Sequence, residues 1–521
     1  MAAAQEPLLD AADIQGNILP GFSRQQQYFV AFSCDRKDAL QAVLAELPRP
    51  TPLSTVLGHR DDRKAAFMSG EPRPQRDDLW LNLALGPNAT DALGAPQVRQ
   101  LDSAFNAGMR TGITGDPTAP VLPDGKPNPS SRDHWLVGAP SKPVDLLLIF
   151  AHDGNIVDEA APIVDRVSEI IGAAPNYVEP AAMLPGSVEH FGFRDGISQP
   201  GVRGRIVQDG AERFITTRYG VPSQNDIDFG KPGQPLVWPG QFLAGQPRFE
   251  GDTSVLAPEL TNGSFLVFRR LRQDVAAFES DTQAMALALG DAGGRPIPAE
   301  HLRALIVGRH RSGNAIMRGG AATAQADDPN AINYFSFANA LPAISLDDGT
   351  QVSGSLADPD PAIGRLCPAW AHIRKVNPRD LQTDRGGALT TLGFQMLRRG
   401  IPFGPPFDRD NPQAPVNAED RGLLFVSYQR AIDDQFGSLN RGWMNNPNAP
   451  TAGGFDLLVG QNVDPATRLH TPKPASFFGL DTGGTALPFA APNQWVIPTG
   501  GAFLFAPSVA FIDEFAAPRI A

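Results

Sequence analysis

Three stretches of this 521-residue chain hold side chains whose types and spacing can do chemistry. HFGFRDGISQP, residues 190–200, sets Asp195 among Gly192, Gly196 and Pro200. Those residues resist regular helix or strand, so the carboxylate stands on a shaped loop. Phe191 and Phe193 make the loop apolar enough to pack inward, which leaves Asp195 either capping a following helix or handling protons in a closed pocket. CPAWAHIRKVNPRD, residues 367–380, places His372 beside Trp370 and Ile373 and just ahead of Arg374, Lys375 and Arg379. QMLRRGIPFGPPF, which begins at residue 395, sets Arg398 and Arg399 side by side on an apolar strand, one for each face. The one that points inward needs a partner or a function, because a buried guanidinium is costly. The plainer reading is a salt bridge at a strand end.

Of the eight histidines, no two lie four apart on one helix face, so a multi-histidine metal site is not signalled. A cofactor that needs one protein ligand is a different matter. Haem iron takes a single imidazole, the porphyrin nitrogens supplying the rest. An imidazole in an apolar setting with cations nearby suits a haem face and its two propionates, and His372 has that setting. Taken alone, it reads more readily as an ordinary core or surface histidine beside a basic turn. GxSxG, HExxH, GxxxxGK[ST] and EF-hand patterns are all missing, which removes the simplest support for hydrolase, zinc-protease and nucleotide-triphosphate chemistry. The two cysteines, Cys34 and Cys367, exclude a CxxC-based zinc site and read as buried packing residues.

These groups must be positioned by an alternation of strands and helices. Strand patterns cover 27–34, 79–85, 145–153 and 188–193, and helical patterns cover 37–47 and 156–173. Strand, helix, strand, strand, helix, strand is the order of a ferredoxin-like α+β unit. A Gly- and Pro-rich connector, 201–262, separates it from a second series: strand 263–271, helix 274–289, strands 395–403 and 421–429, helix 431–444, and a last strand, 500–507. The chain therefore reads as an N-terminal half, 1–200, a connector, and a C-terminal half, 263–521, with insertions at 320–365 and 405–420. A net charge of −12 without a basic run argues against nucleic acid as a partner. No apolar run reaches the roughly 18 residues of a membrane helix. The opening residues lack the basic and apolar regions of a secretory signal, so a cytoplasmic location is expected.

Together the three stretches resemble the dye-decolorizing peroxidase family of haem enzymes, of the larger, fungal-type and related bacterial kind. GFRDG, 192–196, matches the family's G-x-x-D-G motif; AHIRKVNPR, 371–379, is similar to its proximal-histidine segment, and LRRGIPFG, 397–404, to its distal-arginine segment. DIQGNILPGF, 13–22, GRHRSGNAI, 308–316, and GLLFVSYQ, 422–429, agree, so the resemblance runs from about residue 13 almost to the C-terminus.

The resemblance implies an α+β fold in which two ferredoxin-like halves form a dimeric α+β barrel, with haem b (iron protoporphyrin IX) held mainly by the second half. It implies His372 as the iron ligand and Asp456, in GGFDLLVGQ, as the acceptor of its other N–H. Arg379 is the expected propionate partner, with Arg374 and Arg309 behind it. Asp195 becomes the proton shuttle for hydrogen peroxide, Arg398 the group that stabilises the departing oxygen, and Leu423 and Phe425 the residues that keep the pocket dry. Turnover would pass through a ferryl porphyrin-radical state that oxidises phenols, small aromatic reductants and dyes. The alternative is a haem carrier or iron-releasing protein on the same fold, which needs His372 but not both Asp195 and Arg398. His190 reads as a packed histidine more readily than as a base. Phe403 stands where larger members often keep a tyrosine that relays electrons, so that exit is closed and Phe403→Tyr should open it. Trp443, in LNRGWMNNPN, has polar neighbours that suggest an exposed ring and a surface exit for electrons; a packed helix-end ring is the plainer reading. The oligomeric state and the physiological reductant are not readable from the chain.

Overall fold

The structure, a computed structural model, describes residues 6–516 apart from 73, 75, 110, 253–257, 320–330 and 479–484; part of the 320–365 insertion therefore lies outside the described residues. In the first half, β1 (Gln26–Phe32) leads into α1 (Lys37–Glu46) and α2 (Leu53–Ser69), then β2 (Trp80–Leu85), β3 (Leu146–His152), α3 (Ile156–Ile171) and β4 (Tyr177–Ala182). The second half runs β5 (Ser264–Gln273), α4 (Val275–Gly293), α5 (Ala299–Val307), α6 (His372–Val376), β6 (Leu397–Arg398), β7 (Ile401–Phe403) and β8 (Gly422–Gln429). A π-helix (Ile432–Met444) and β9 (Val496–Ala506) complete it.

All these strands pair antiparallel in one sheet. The first half contributes the order β4-β1-β3-β2 and the second β7-β8-β5-β9, each the 4-1-3-2 order of a ferredoxin-like unit. The halves join at two narrow seams, Phe403 opposite Ala181 and Phe505 opposite Leu85, which close the sheet on itself. One buried cluster fills the interior with residues from all eight strands of the ring, among them Phe29, Ile149, Phe268, Phe403, Leu424 and Leu504. Alternation along β8 sends Leu424, Val426 and Tyr428 inward and Leu423 and Phe425 outward. The outward faces of β1 and β3 are covered by α1 and α3, through Val30, Phe32, Leu148, Leu40 and Val164.

Three sequence expectations are corrected. Residues 188–193 are not the last strand of the first half; β4 is, and VEHFGF is a loop held by a single bridge between Val188 and Arg194. The Glu189 carboxylate turns that segment back on itself by accepting the Phe191 and Phe193 N–H groups, both at 2.9 Å. Pro180 obscured the real strand; it is tolerated because β4 meets β7 at one residue only. The run 395–403 is broken at Arg399–Gly400 into two short strands. Helix α2 was not foreseen, because only Leu53, Val56, Leu57 and His59 in its first half are buried. The helix expected at 431–444 is present, wound as a π-helix, a rare form that gathers at functional sites.

Candidate active site

A cavity of about 450 Å³ opens on the outer face of the second-half sheet, and His372, Asp195, Arg398, Leu423 and Phe425 all border it. A smaller one, about 180 Å³, shares His372, Asp195, Arg398 and Phe425 and adds Arg309 and Arg379. Sheet alternation and three loops therefore bring eight of the nine expected residues to one place, counting Asp456 behind His372.

His372 opens the short helix α6. Its Nδ1 lies 2.7 Å from Oδ2 of Asp456, whose side chain is completely buried. The other carboxylate oxygen accepts the Leu458 and Val459 N–H groups, each at 3.0 Å. Burial opposes ionisation of Asp456, but His372, the Val459 N–H and the nearby Lys473 together hold its carboxyl below the ordinary range. A carboxylate fixed this firmly sets both the orientation and the tautomer of the imidazole, leaving Nε2 as the free ring nitrogen.

Arg309, Arg379 and Arg398 converge on the smaller cavity, and among the described residues none of the three has a carboxylate within ion-pair distance. They are held by neutral acceptors: Arg309 by the carbonyls of Gly313 (2.8 Å) and Ile332 (3.2 Å), Arg379 by those of Asn333 and Phe335, both at 3.0 Å. Burial, with Arg379 and Arg398 adding repulsion, pushes Arg309 down to about 9, and burial pushes Arg379 down to about 10. Arg379 also sits at φ +56°, a left-handed conformation that costs a non-glycine residue of order 1 kcal/mol or more. Its guanidinium lies 3.7 Å from the Phe335 ring centre. A cluster of cations without carboxylate partners suits an anionic group beside it.

Asp195 was expected inside a packed loop, yet it is exposed at the cavity wall, its Oδ1 turned onto its own loop through the Gly196 N–H at 2.6 Å. It caps no helix; the chain continues as coil to a two-residue strand at Gly201. Gly192 (φ +90°) and Gly196 (φ +71°) supply left-handed turns on both sides, and a side chain at Gly192 would run into Arg311. Arg398 reaches the Ser198 carbonyl at 2.5 Å and forms no ion pair with Asp195. Arg399, on the opposite strand face, packs half-buried against the N-terminal segment, donating to the carbonyls of Asn17 (3.1 Å), Ile18 (3.0 Å) and Arg398 (2.9 Å). The stretch 13–22 thus satisfies the second arginine of the pair.

Arg374 is a correction. It borders neither cavity; its guanidinium is buried on the carbonyls of Cys367 (2.8 Å) and Pro361 (2.5 Å) and braces the loop ahead of His372. His190 is a packed residue, bonded through Nε2 to the Phe403 carbonyl at 2.8 Å and pushed down to about 4 by burial. Trp443 is buried, not exposed; its N–H meets Asp384 at 2.9 Å and its ring packs edge-on against Phe394. Phe403 lies inside the barrel with the Arg270 guanidinium 4.0 Å from its ring centre, so a tyrosine there has no path to solvent. Both cysteines are buried and unpaired. Sequence reasoning passed over Gln199, Phe436, Met444 and a buried Arg269–Asp116 pair (2.8 Å) that also border the larger cavity. The one available signal was a glutamine held between Ser198 and Pro200 in the shaped loop.

Fold and site define an α+β protein that presents one carboxylate-bound imidazole to a large cavity. No protein-family model matches the chain. It is 27% identical to Peroxidase 2 of Mycetinis scorodonius over 98% of its own length and 88% of that protein. It is 28% identical to a dye-decolorizing peroxidase of Exidia glandulosa over 96% of its length and 86% of that protein. The solved structure of an ancestral D-type dye-decolorizing peroxidase superimposes with a TM-score of 0.72 at 28% identity, covering 98% of this chain and all of that one. Over nearly its whole length the chain is thus similar to dye-decolorizing peroxidases, which are haem enzymes. Among the described residues no helix is long and apolar enough to cross a membrane.

Proposed function

We propose that this protein binds haem b between the outer face of the second-half sheet and α6, and uses hydrogen peroxide to oxidise phenols and dyes. The observation that carries the reading is His372, its Nδ1 tied to buried Asp456, on the same cavity wall as Asp195 and Arg398. The residues fit the group. One ring nitrogen of His372 is free for iron, and the uncompensated guanidinium cluster suits the porphyrin's acid side chains. Arg309 and Arg379 would hold those side chains, without Arg374. All of these residues but Asp195 come from 263–521, which supports a division at 200 and 262 with the cofactor in the C-terminal part.

When bound, the haem supplies the redox-active iron at which peroxide is reduced, and it holds the oxidising equivalents until a reductant takes them. The chain does the rest. Asp195, ionised, accepts the proton from one peroxide oxygen and passes it to the other, so that the departing oxygen leaves as water. Arg398 stabilises negative charge on that oxygen before the proton arrives. Leu423 and Phe425 exclude bulk water, which strengthens both effects. Asp195 begins exposed and bonded to Gly196, so it must turn from its own loop toward the cavity to act.

An absorption spectrum of the haem-supplemented protein, with and without peroxide, tests the reading. A Soret band that peroxide shifts is expected. No Soret band overturns haem binding, and a band that peroxide leaves unchanged leaves only a haem carrier.

A further inference from the structure

Arg398 occupies a two-residue strand, β6, that pairs on one side only, with β8. Arg398 lies opposite Ser427, while the neighbouring Arg399 N–H donates to the Val426 carbonyl at 2.7 Å. In an antiparallel ladder that alternation turns the Arg398 N–H and C=O away from the partner strand, toward an open edge. There the Gln199 side chain meets both groups. Its Oε1 accepts the Arg398 N–H at 3.1 Å, and its Nε2 donates to the Arg398 carbonyl at 3.1 Å. A primary amide carries an acceptor and a donor on separate atoms, so it can imitate the missing strand; an ionised carboxylate of the same reach, which only accepts, cannot make both bonds.

The loop that carries Gln199 also carries Asp195, and it grips its surroundings at neighbouring points. Ser198 accepts from the Arg398 guanidinium at 2.5 Å, and Ile197 accepts from Asn333 Nδ2 at 2.8 Å. Asn333 in turn accepts from Arg309 at 2.8 Å. The backbone of Arg398 is therefore located by the aspartate loop more than by its own sheet. We infer that Gln199 is a positioning residue, which stands in for a strand to hold Arg398 at a fixed distance from the Asp195 loop.

This inference rests on the reading of Arg398 as the group that stabilises anionic oxygen in the cavity. Its test is a fluoride titration of the full-length, haem-loaded ferric protein, followed by the Soret band, because fluoride takes an arginine's hydrogen bond and needs no turnover. Gln199→Ala should weaken fluoride roughly tenfold, the scale of two lost hydrogen bonds between neutral groups, and Gln199→Met, which keeps the volume and loses both bonds, should do the same. Haem content per chain should stay at the parent value in both. Parent-like fluoride affinity in Gln199→Met, with Arg398→Leu weakened, overturns the positioning role while leaving Arg398 in place. Parent-like affinity in Arg398→Leu itself overturns the reading beneath it, and the inference falls with it. If Gln199→Ala does not retain haem, the methionine variant alone decides.

Discussion

At the residue scale, the site depends on groups whose partners differ in kind. His372 has a buried carboxylate behind it and, among the described residues, is the only imidazole on the cavity wall, so His372→Ala should lose haem; a haem-to-protein ratio equal to the parent's after gel filtration would refute it as the ligand. Asp195 and Arg398 carry no such anchoring duty. Asp195→Ala and Arg398→Leu should each keep haem and slow the reaction with peroxide by roughly 10²–10⁴, the usual contribution of one acid–base or charge-stabilising group. Stopped-flow rates unchanged in both would sink the distal mechanism. The arginine should matter more, because water can replace an exposed carboxylate and cannot replace the charge of a guanidinium tethered on the Ser198 carbonyl.

At the scale of elements, the π-helix 432–444 carries Trp443, the ring expected to relay electrons to bulky dyes. It sends Phe436 and Met444 to the cavity and Trp443 into a cluster with Phe394, Leu439 and Ala449. The Trp443 ring is shut off from solvent, but its N–H ends on Asp384, whose side chain is 42% exposed. A bulky dye could approach Asp384 without entering the cavity. Trp443→Phe should therefore reduce turnover of bulky dyes and leave that of small phenols and the peroxide reaction unchanged. Intact dye turnover in this variant would put the exit at the cavity itself. A tyrosine at position 403 opens no second exit, since the ring lies inside the barrel beneath Arg270.

At the scale of the whole molecule, the buried histidines should make stability fall with acidity, against buried carboxyls such as Glu189 that burial raises and that therefore act in the opposite sense. Burial lowers both His190 and His470 from 6.5 to about 4. Between those values the unfolded chain binds protons that the folded chain refuses, so folded stability rises with pH across that window. Each residue fully shifted contributes about 3 kcal/mol of loss by pH 4. The urea midpoint should drop between pH 7 and pH 4.5, and His190→Gln should flatten part of that slope. A midpoint independent of pH over this range would show that neither histidine is buried in its neutral form.

The sequence by itself marked most elements of the two α+β series and the stretches that carry Asp195, His372 and Arg398, while the barrel entered only as what the family resemblance implies. Apolar periodicity is local, and Gly192, Gly196, His372 and the Arg398–Arg399 pair stand in stretches whose composition already says loop, apolar site and two-faced strand. What it could not determine were features fixed by contacts distant in the chain. Arg374 and Arg379 are five residues apart and equally basic, yet only the tertiary structure decides that one braces a loop on Cys367 and Pro361 while the other faces the cavity. Trp443 has polar neighbours in sequence and apolar ones in space, because the π-helix turns the ring away from them. Asp456 lies 84 residues from the imidazole it orients, and Gln199 lies 199 residues from the backbone it completes. A side chain's type states what it can bond. Which partner it finds is set by packing, since a buried group takes the partner that the fold brings within 3 Å.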